Sequence, residues 1–337
     1  MQYNGRILLA GYCRIGSTLI AKGSLDAGQE CSDLREWIFL GISEGNPPWE
    51  GLQVERILVH ESQVWGKYRM CSGSESTLPS IEMMGINIHT ISLDEMLEHI
   101  FQTIEQDGRS IVANVNVHAM NIAYENPTFR RFLQNSDVVF CDGHGVRFGA
   151  FLLGQRIPYR YTPPDWIPRL IQLCASRDVK VYFLGGRPSV AQKAADYLQR
   201  TVVGQCRIEA HHGFFEKDCD HPENRDVIEK INHAQADILV VGFGMPLQEQ
   251  WIADNWSKLK VSVAIPAGAA FDYLSGEMVR GPRWMTESGL EWLARLLVEP
   301  RRLWKRYLFG NPLFLYRVLR QRFTSKKRTG EMQDVSG

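Results

Sequence analysis

From residue 83 onward the chain alternates short apolar runs with longer stretches that carry apolar residues at helical spacing. The runs fall at 84–91, 110–116, 137–142, 180–185, 207–211, 237–242 and 261–266. Most lack polar alternation, which predicts strands covered on both faces. Between them, stretches such as 93–106 gather Met96, Leu97, Ile100, Phe101 and Ile104 on one helical face. Strands and helices in alternation predict an α/β fold, a doubly wound and mostly parallel sheet over 83–284. Ligands on such sheets bind at the carboxyl ends of the strands. No internal repeat is apparent.

The two flanks read differently. In 1–82, glycines, serines and isolated charges interrupt every apolar run, and 71–80 (CSGSESTLPS) has linker composition. A poorly ordered extension or a small accessory module fits that pattern. Over 285–323, Trp, Tyr, Phe and Leu interleave with Arg and Lys at helical spacing, and Pro300 and Pro312 are expected to divide the segment into short helices. A disordered tail is expected over 324–337.

Charge sharpens this picture. The chain has 38 basic and 38 acidic residues, yet thirteen bases and only three acids lie between Arg280 and Arg328. A basic appendage on an acidic body suggests a polyanionic partner. Large apolar residues among the cations favour an anionic membrane interface over nucleic acid, with a solvated basic helix as the plain alternative. Trp292, Trp304, Phe309 and Phe314 are the expected apolar contacts, and no nucleic-acid partner is expected. No apolar run approaches the ~20 residues of a membrane span. The short run at 7–13 is stopped by Arg14 and is not read as a signal peptide. Seven cysteines without a C-x-x-C pair read as reduced cytoplasmic thiols, not as disulfides or a zinc site.

The candidate chemistry lies just past strand ends. Asn114 and Asn116 close one strand, and Asp142 closes the next, before Gly143. A carboxylate there suits general-base work or, equally, caps the following helix. Gly242 and Gly244 precede a helix, so their backbone can receive a phosphate or simply make a close turn. The dinucleotide fingerprint is incomplete, with Leu247 at its last glycine position. Gln248 stands in the first helical turn, and Gly185 belongs to a similar turn after 180–185. Arg160 suits diphosphate or carboxylate recognition, or an ion pair with Asp165. The adjacent His211 and His212 would point oppositely on a strand, so no metal site is expected. Nucleophile-elbow and Walker A motifs are absent.

In chain order, VNVHAMNIA, Asp142-Gly143, Arg160 with Thr162 and Asp165, FLGGRPSVAQKAA, HHGFF and VGFGMPLQEQWI are followed by Gly268 and Phe271-Asp272. The Gly276, Arg280, Pro282, Trp284 string and GLEWLARLLVEPRRLWKRYLFGNPLFL complete the series. Together they resemble the WecG/TagA/CpsF family, bacterial glycosyltransferases of family 26, over about residues 83–320. The resemblance implies a Rossmann-like, metal-independent, inverting transferase without cofactor. It would move a hexosyl group, N-acetylmannosaminyl or related, from a UDP-sugar to a polyprenyl-diphosphate-linked sugar, for surface polysaccharide or cell-wall polymer synthesis. It would work peripherally at the inner face of the cell membrane. It makes Asp142 the general base, assisted by Asn116. It places Asn114, Arg160, Gly185, Gly242, Gly244, Gln248, Arg295, Arg302 and Arg306 around the substrates. Pro163 stands where the family has glycine, and Asn114 where some members have threonine. Self-association into a homo-oligomer is compatible with this reading. A non-catalytic, nucleotide- or polyanion-binding regulator is the alternative.

Overall fold

A computed structural model describes residues 7–15, 18–25, 37–41, 78–279, 281, 285 and 289–334. The resemblance at Arg280, Pro282 and Trp284 lies outside these residues. The chain forms two compact units, Met1–Ser76 and Thr77–Gly337. In the first, β1 (Ile7–Ile15), β2 (Thr18–Leu25) and β3 (Trp37–Gly41) make an antiparallel sheet in that order.

The second unit opens on a hairpin of β4 (Ser80–Met83) and β5 (Ile86–His89). The single strand expected over 84–91 is therefore corrected. Met84 and Gly85 turn the chain at φ 52° and 78°, the left-handed geometry that a two-residue hairpin turn requires.

The central sheet has six parallel strands in the order β7-β6-β11-β10-β8-β9. They are β6 (Ser110–Val115), β7 (Val138–Cys141), β8 (Val181–Gly185), β9 (Ile208–His211), β10 (Ile238–Gly242) and β11 (Val263–Pro266). Their side chains alternate between two cores. Val181, Phe183, Ile238 and Val240 join one, while Tyr182, Leu184, Leu239 and Val241 join the other. Both faces are apolar because both are covered, which is why the strands read as unbroken apolar runs. The first core is shared with α1 (Leu93–Glu105), α5 (Pro163–Arg177), α6 (Val190–Thr201) and α9 (Ala270–Leu274). The second is shared with α2 (Val117–Glu125), α3 (Pro127–Gln134), α4 (His144–Leu152), α7 (Pro222–His233) and α8 (Leu247–Asn255). This is the expected Rossmann-like, doubly wound arrangement. Its strand order reverses beside β6, so loops after strands on both sides open a crevice there.

The appendage comprises α10 (Glu291–Val298), α11 (Pro300–Trp304), a π-helical turn (Lys305–Phe309) and α12 (Gly310–Asp334). Pro300 begins α11 as expected. Pro312 does not separate two helices. It lies within one continuous helical run, just after the π-helical turn that ends at Phe309. α12 then runs on to Asp334, across the boundary expected at 323. Arg317 fixes it to α2. This buried guanidinium donates to the Asn121 carbonyl (3.2 Å) and Oδ1 (2.9 Å), pairs with Glu125 and lies over the Tyr124 ring.

Phe314 is a further correction, because it is only 1% exposed and is not a surface anchor. Its ring occupies the space a side chain at Gly149 would fill, since a Cβ there would lie 2.7 Å from Phe314 Cζ. Within the appendage Trp304, Leu308 and Phe309 are exposed, while Trp292 packs on Tyr307. Among the described residues no helix is long and apolar enough to cross a membrane.

Candidate functional site

The carboxyl ends of the sheet strands and the appendage enclose one cleft of about 1470 Å³. Asn114, Asn116, Asp142, Arg160, Gly242, Gly244, Arg295, Arg302 and Arg306 all line it, so residues far apart in sequence converge there.

Asn116 is held first by local structure. As the N-cap of α2, its Oδ1 accepts from the His118 and Ala119 N–H groups at 3.0 and 3.1 Å. The same side chain hydrogen-bonds Asp142, and Arg306 Nη2 approaches its Oδ1 at 3.5 Å. Asn114 is buried and donates to the Pro266 carbonyl at 2.7 Å, tying β6 to the carboxyl end of β11.

Asp142 follows β7, its own N–H donating to Val115 O at 2.8 Å. The capping alternative is not realised: the N-cap of α4 is Gly143, φ 140°, and no side chain caps the helix. Burial, then the neighbouring Glu291 carboxylate, pushes Asp142 up to about 6, against Arg295, Arg160 and the Asn116 hydrogen bond. At neutral pH it is therefore ionised, yet more basic than an ordinary carboxylate. Nearby His118 is pushed down to about 4 by burial and then by Arg306, so it is a neutral imidazole.

Arg160 has a different partner from the one its turn suggests. It pairs with Glu291 of α10 at 3.8 Å, whereas Asp165 accepts from Thr162 Oγ1. The side chain thus joins the sheet to the appendage. Glu291 was missed as a site residue. The available signal was its rarity, one of three acids in a strongly basic segment. Arg295 lies over the Tyr273 ring, and its Nε has no hydrogen-bond partner.

The opposite wall brings glycine backbone to the surface, beside side chains such as Phe215, Lys217 and Phe243. A Cβ at Gly185 would meet Gly242 O at 2.4 Å, so β8 and β10 approach this closely only with glycine there. Gly185 itself lies behind the surface, and Gly186 lines the cleft. Gln248 also lies behind it, fully buried. Its Oε1 accepts from Gly244 N at 3.1 Å and Gly268 N at 3.0 Å, holding two glycine loops with one oxygen. Its Nε2 donates to buried Glu249 at 2.8 Å, and Glu249 is pushed up to about 7 by burial. Lys217, also unforeseen, covers the Phe215 and Phe243 rings at this wall.

His211 and His212 do not diverge as expected, because β9 ends at His211 and strand alternation stops there. Their rings lie 4.4 Å apart. Among the described residues no group of three His, Cys, Asp or Glu side chains is placed to hold a metal ion.

The glycosyl transferase WecG/TagA/CpsF family matches this chain over residues 81–328. The chain belongs to that family. It is thus a glycosyltransferase, and the sheet, the cleft and the first appendage helices all fall within the matched span. Among curated proteins it is similar to the N-acetylglucosaminyldiphosphoundecaprenol N-acetyl-beta-D-mannosaminyltransferase of Staphylococcus aureus strain NCTC 8325 / PS 47. The identity is 22% over 254 residues, 75% of this chain and 97% of the relative. The protein of that name from strain MRSA252 gives the same identity and coverage.

Proposed function

We propose that this WecG/TagA/CpsF-family transferase moves a hexosyl group, N-acetylmannosaminyl or a close relative, from a UDP-sugar to a lipid-linked diphosphate sugar. The S. aureus relatives, by name, act on an N-acetylglucosaminyl diphosphoundecaprenol acceptor. Such a polymer-precursor step suits surface polysaccharide or cell-wall synthesis.

The observation that carries this reading is Asp142, a carboxylate raised to about 6 in a cleft also lined by Arg160, Arg295, Arg302 and Arg306. Asp142 accepts the proton of the acceptor hydroxyl as that oxygen attacks the anomeric carbon of the donor. The bond from that carbon to the UDP oxygen breaks, and the electron pair leaves with UDP. The arginines and the Gly244 side of the cleft offset the charge developing on the diphosphate. One displacement inverts the anomeric centre, and the β linkage in the relatives' name is what inversion of an α-linked donor produces. With cations already lining the cleft, no metal ion is required.

The test is UDP release from UDP-sugars in the presence of an N-acetylglucosaminyl diphospholipid. Release that depends on both substrates and survives EDTA is expected. Absence of acceptor-dependent release, or activity lost to EDTA and restored by magnesium or manganese, would contradict the reading.

The exposed Trp304, Leu308 and Phe309, with Lys305 over the Trp304 ring, support peripheral attachment to the anionic cytoplasmic leaflet. Sedimentation with anionic liposomes should weaken as salt rises. Equal sedimentation with neutral liposomes at all salt concentrations would reject the electrostatic part of that attachment.

A further inference from the structure

We infer that the surface between α4 and α12 is a subsite for the first prenyl units of the lipid-linked acceptor. The inference rests on the acceptor class proposed above. α4 starts immediately after Asp142-Gly143 and leads away from the cleft. Two of its apolar residues face outward three positions apart, Phe148 at 50% and Phe151 at 71% exposure, with stacked rings 6.4 Å between centroids. Such residues occupy one helical face, and a soluble helix gains nothing from leaving both uncovered.

α12 supplies the facing side. Phe314 packs on Gly149, and Arg322 Nη1 reaches the Leu152 carbonyl, so both helices run outward together. Asn311, Leu315, Leu319 and Arg322 recur at helical spacing. Asn311 and Leu315 line the cleft together with Phe148, whereas Leu319 and Phe151 lie outside it. From Asn311 to Arg322 the helix advances about 16 Å. An apolar track thus begins inside the cleft, near the cationic Arg302 and Arg306, and continues to the surface.

Charge and polarity match one ligand along this line. A diphosphate meets the arginines, and the hydrocarbon attached to it meets the phenylalanines and leucines. A membrane surface alone would need exposed apolar residues but no continuity with the catalytic cleft.

The experiment compares N-acetylglucosaminyl diphosphate esters bearing a farnesyl or a methyl group, both used below micelle-forming concentrations with UDP-N-acetylmannosamine. Wild type is expected to show a lower KM for the farnesyl ester. Phe151→Ser and, separately, Leu319→Ser should raise that KM ~10-fold while leaving the methyl-ester KM in place. Phe151→Leu should restore most of the preference. Both substituted side chains are exposed, and thermal unfolding verifies that the variants fold. Variants that keep the full chain-length preference would overturn the subsite. So would variants that lose only liposome sedimentation, which would make the track a bulk membrane contact. Wild-type protein that transfers to neither ester would remove the acceptor reading, and this inference with it.

Discussion

The two walls of the cleft are built from different materials. On the β6–β7 side, Asn116, Asp142 and Arg160 present side chains, met by Arg295, Arg302 and Arg306 from the appendage. On the β8–β10–β11 side, glycines present backbone, held from behind by Gln248. The first wall can exchange a proton and counter charge. The second mainly shapes the cleft and donates from N–H groups, although Arg187, Lys217 and Asp272 also line it. Substitutions in the first should change chemistry while the protein stays folded, and substitutions in the second should change shape and stability together.

The largest expected effect is that of Asp142→Asn, which should lower turnover ~10²–10⁴-fold, the scale of a lost general base. UDP binding should persist. Because the folded protein raises this carboxyl from 3.8 to about 6, its ionisation costs stability as pH rises through that window. Asp142→Asn should therefore unfold no earlier than wild type at pH 8. A variant with unchanged turnover would break the contrast at once.

Arg306→Ala comes next, with an expected loss of ~10–100-fold in kcat/KM, on the scale of a hydrogen bond to a charged group. Steady-state kinetics with fixed donor and varied acceptor would measure it. Loss confined to liposome binding, with full activity on a soluble acceptor, would move Arg306 out of the cleft chemistry.

Gly242→Ala tests the backbone wall. The added Cβ would lie 2.9 Å from Gly268 O and 2.8 Å from Phe271 Cδ2. A carbonyl oxygen cannot move without its loop, so a destabilisation of ~1–3 kcal/mol is expected, with weaker UDP binding. Denaturant unfolding and UDP titration check both. Intact stability with impaired turnover would make this wall resemble the other.

The smallest effect is expected at Glu249. Its folded value of about 7 stands above the ordinary 4.5, so wild-type stability should fall as pH rises from 4.5 to about 7, then level off. Glu249→Gln should flatten that fall, so its stability relative to wild type should be greater at pH 8 than at pH 4. Parallel pH slopes in the two proteins would contradict the assignment.

The two walls were also unequally legible in the sequence. The inner strands of the parallel sheet announced themselves, because burial on both faces leaves a mostly apolar run, whereas the edge strand β9 carries Glu209 and His211. Asp142 and Asn116 stood out as polar groups at strand ends, and Arg160 as an arginine in the turn before a helix. What the residues alone could not carry was anything set by distant packing. Gln248 read as a cleft residue but points inward to two loops, since its neighbours Gly244 and Gly268 converge only in the fold. Phe314 read as a surface anchor but fills the space that Gly149 leaves. Arg160 sat beside Asp165 in sequence yet pairs with Glu291, more than a hundred residues away. Helical spacing told which residues share a face, not which face the body covers.

The pH dependence of kcat/KM tests the central assignment most directly. With Asp142 as the base, kcat/KM should rise about tenfold per pH unit below about 6 and flatten above it. The residual activity of Asp142→Asn should lack that limb. A wild-type profile flat from pH 5 to 8, or a limb that survives in Asp142→Asn, would contradict the account.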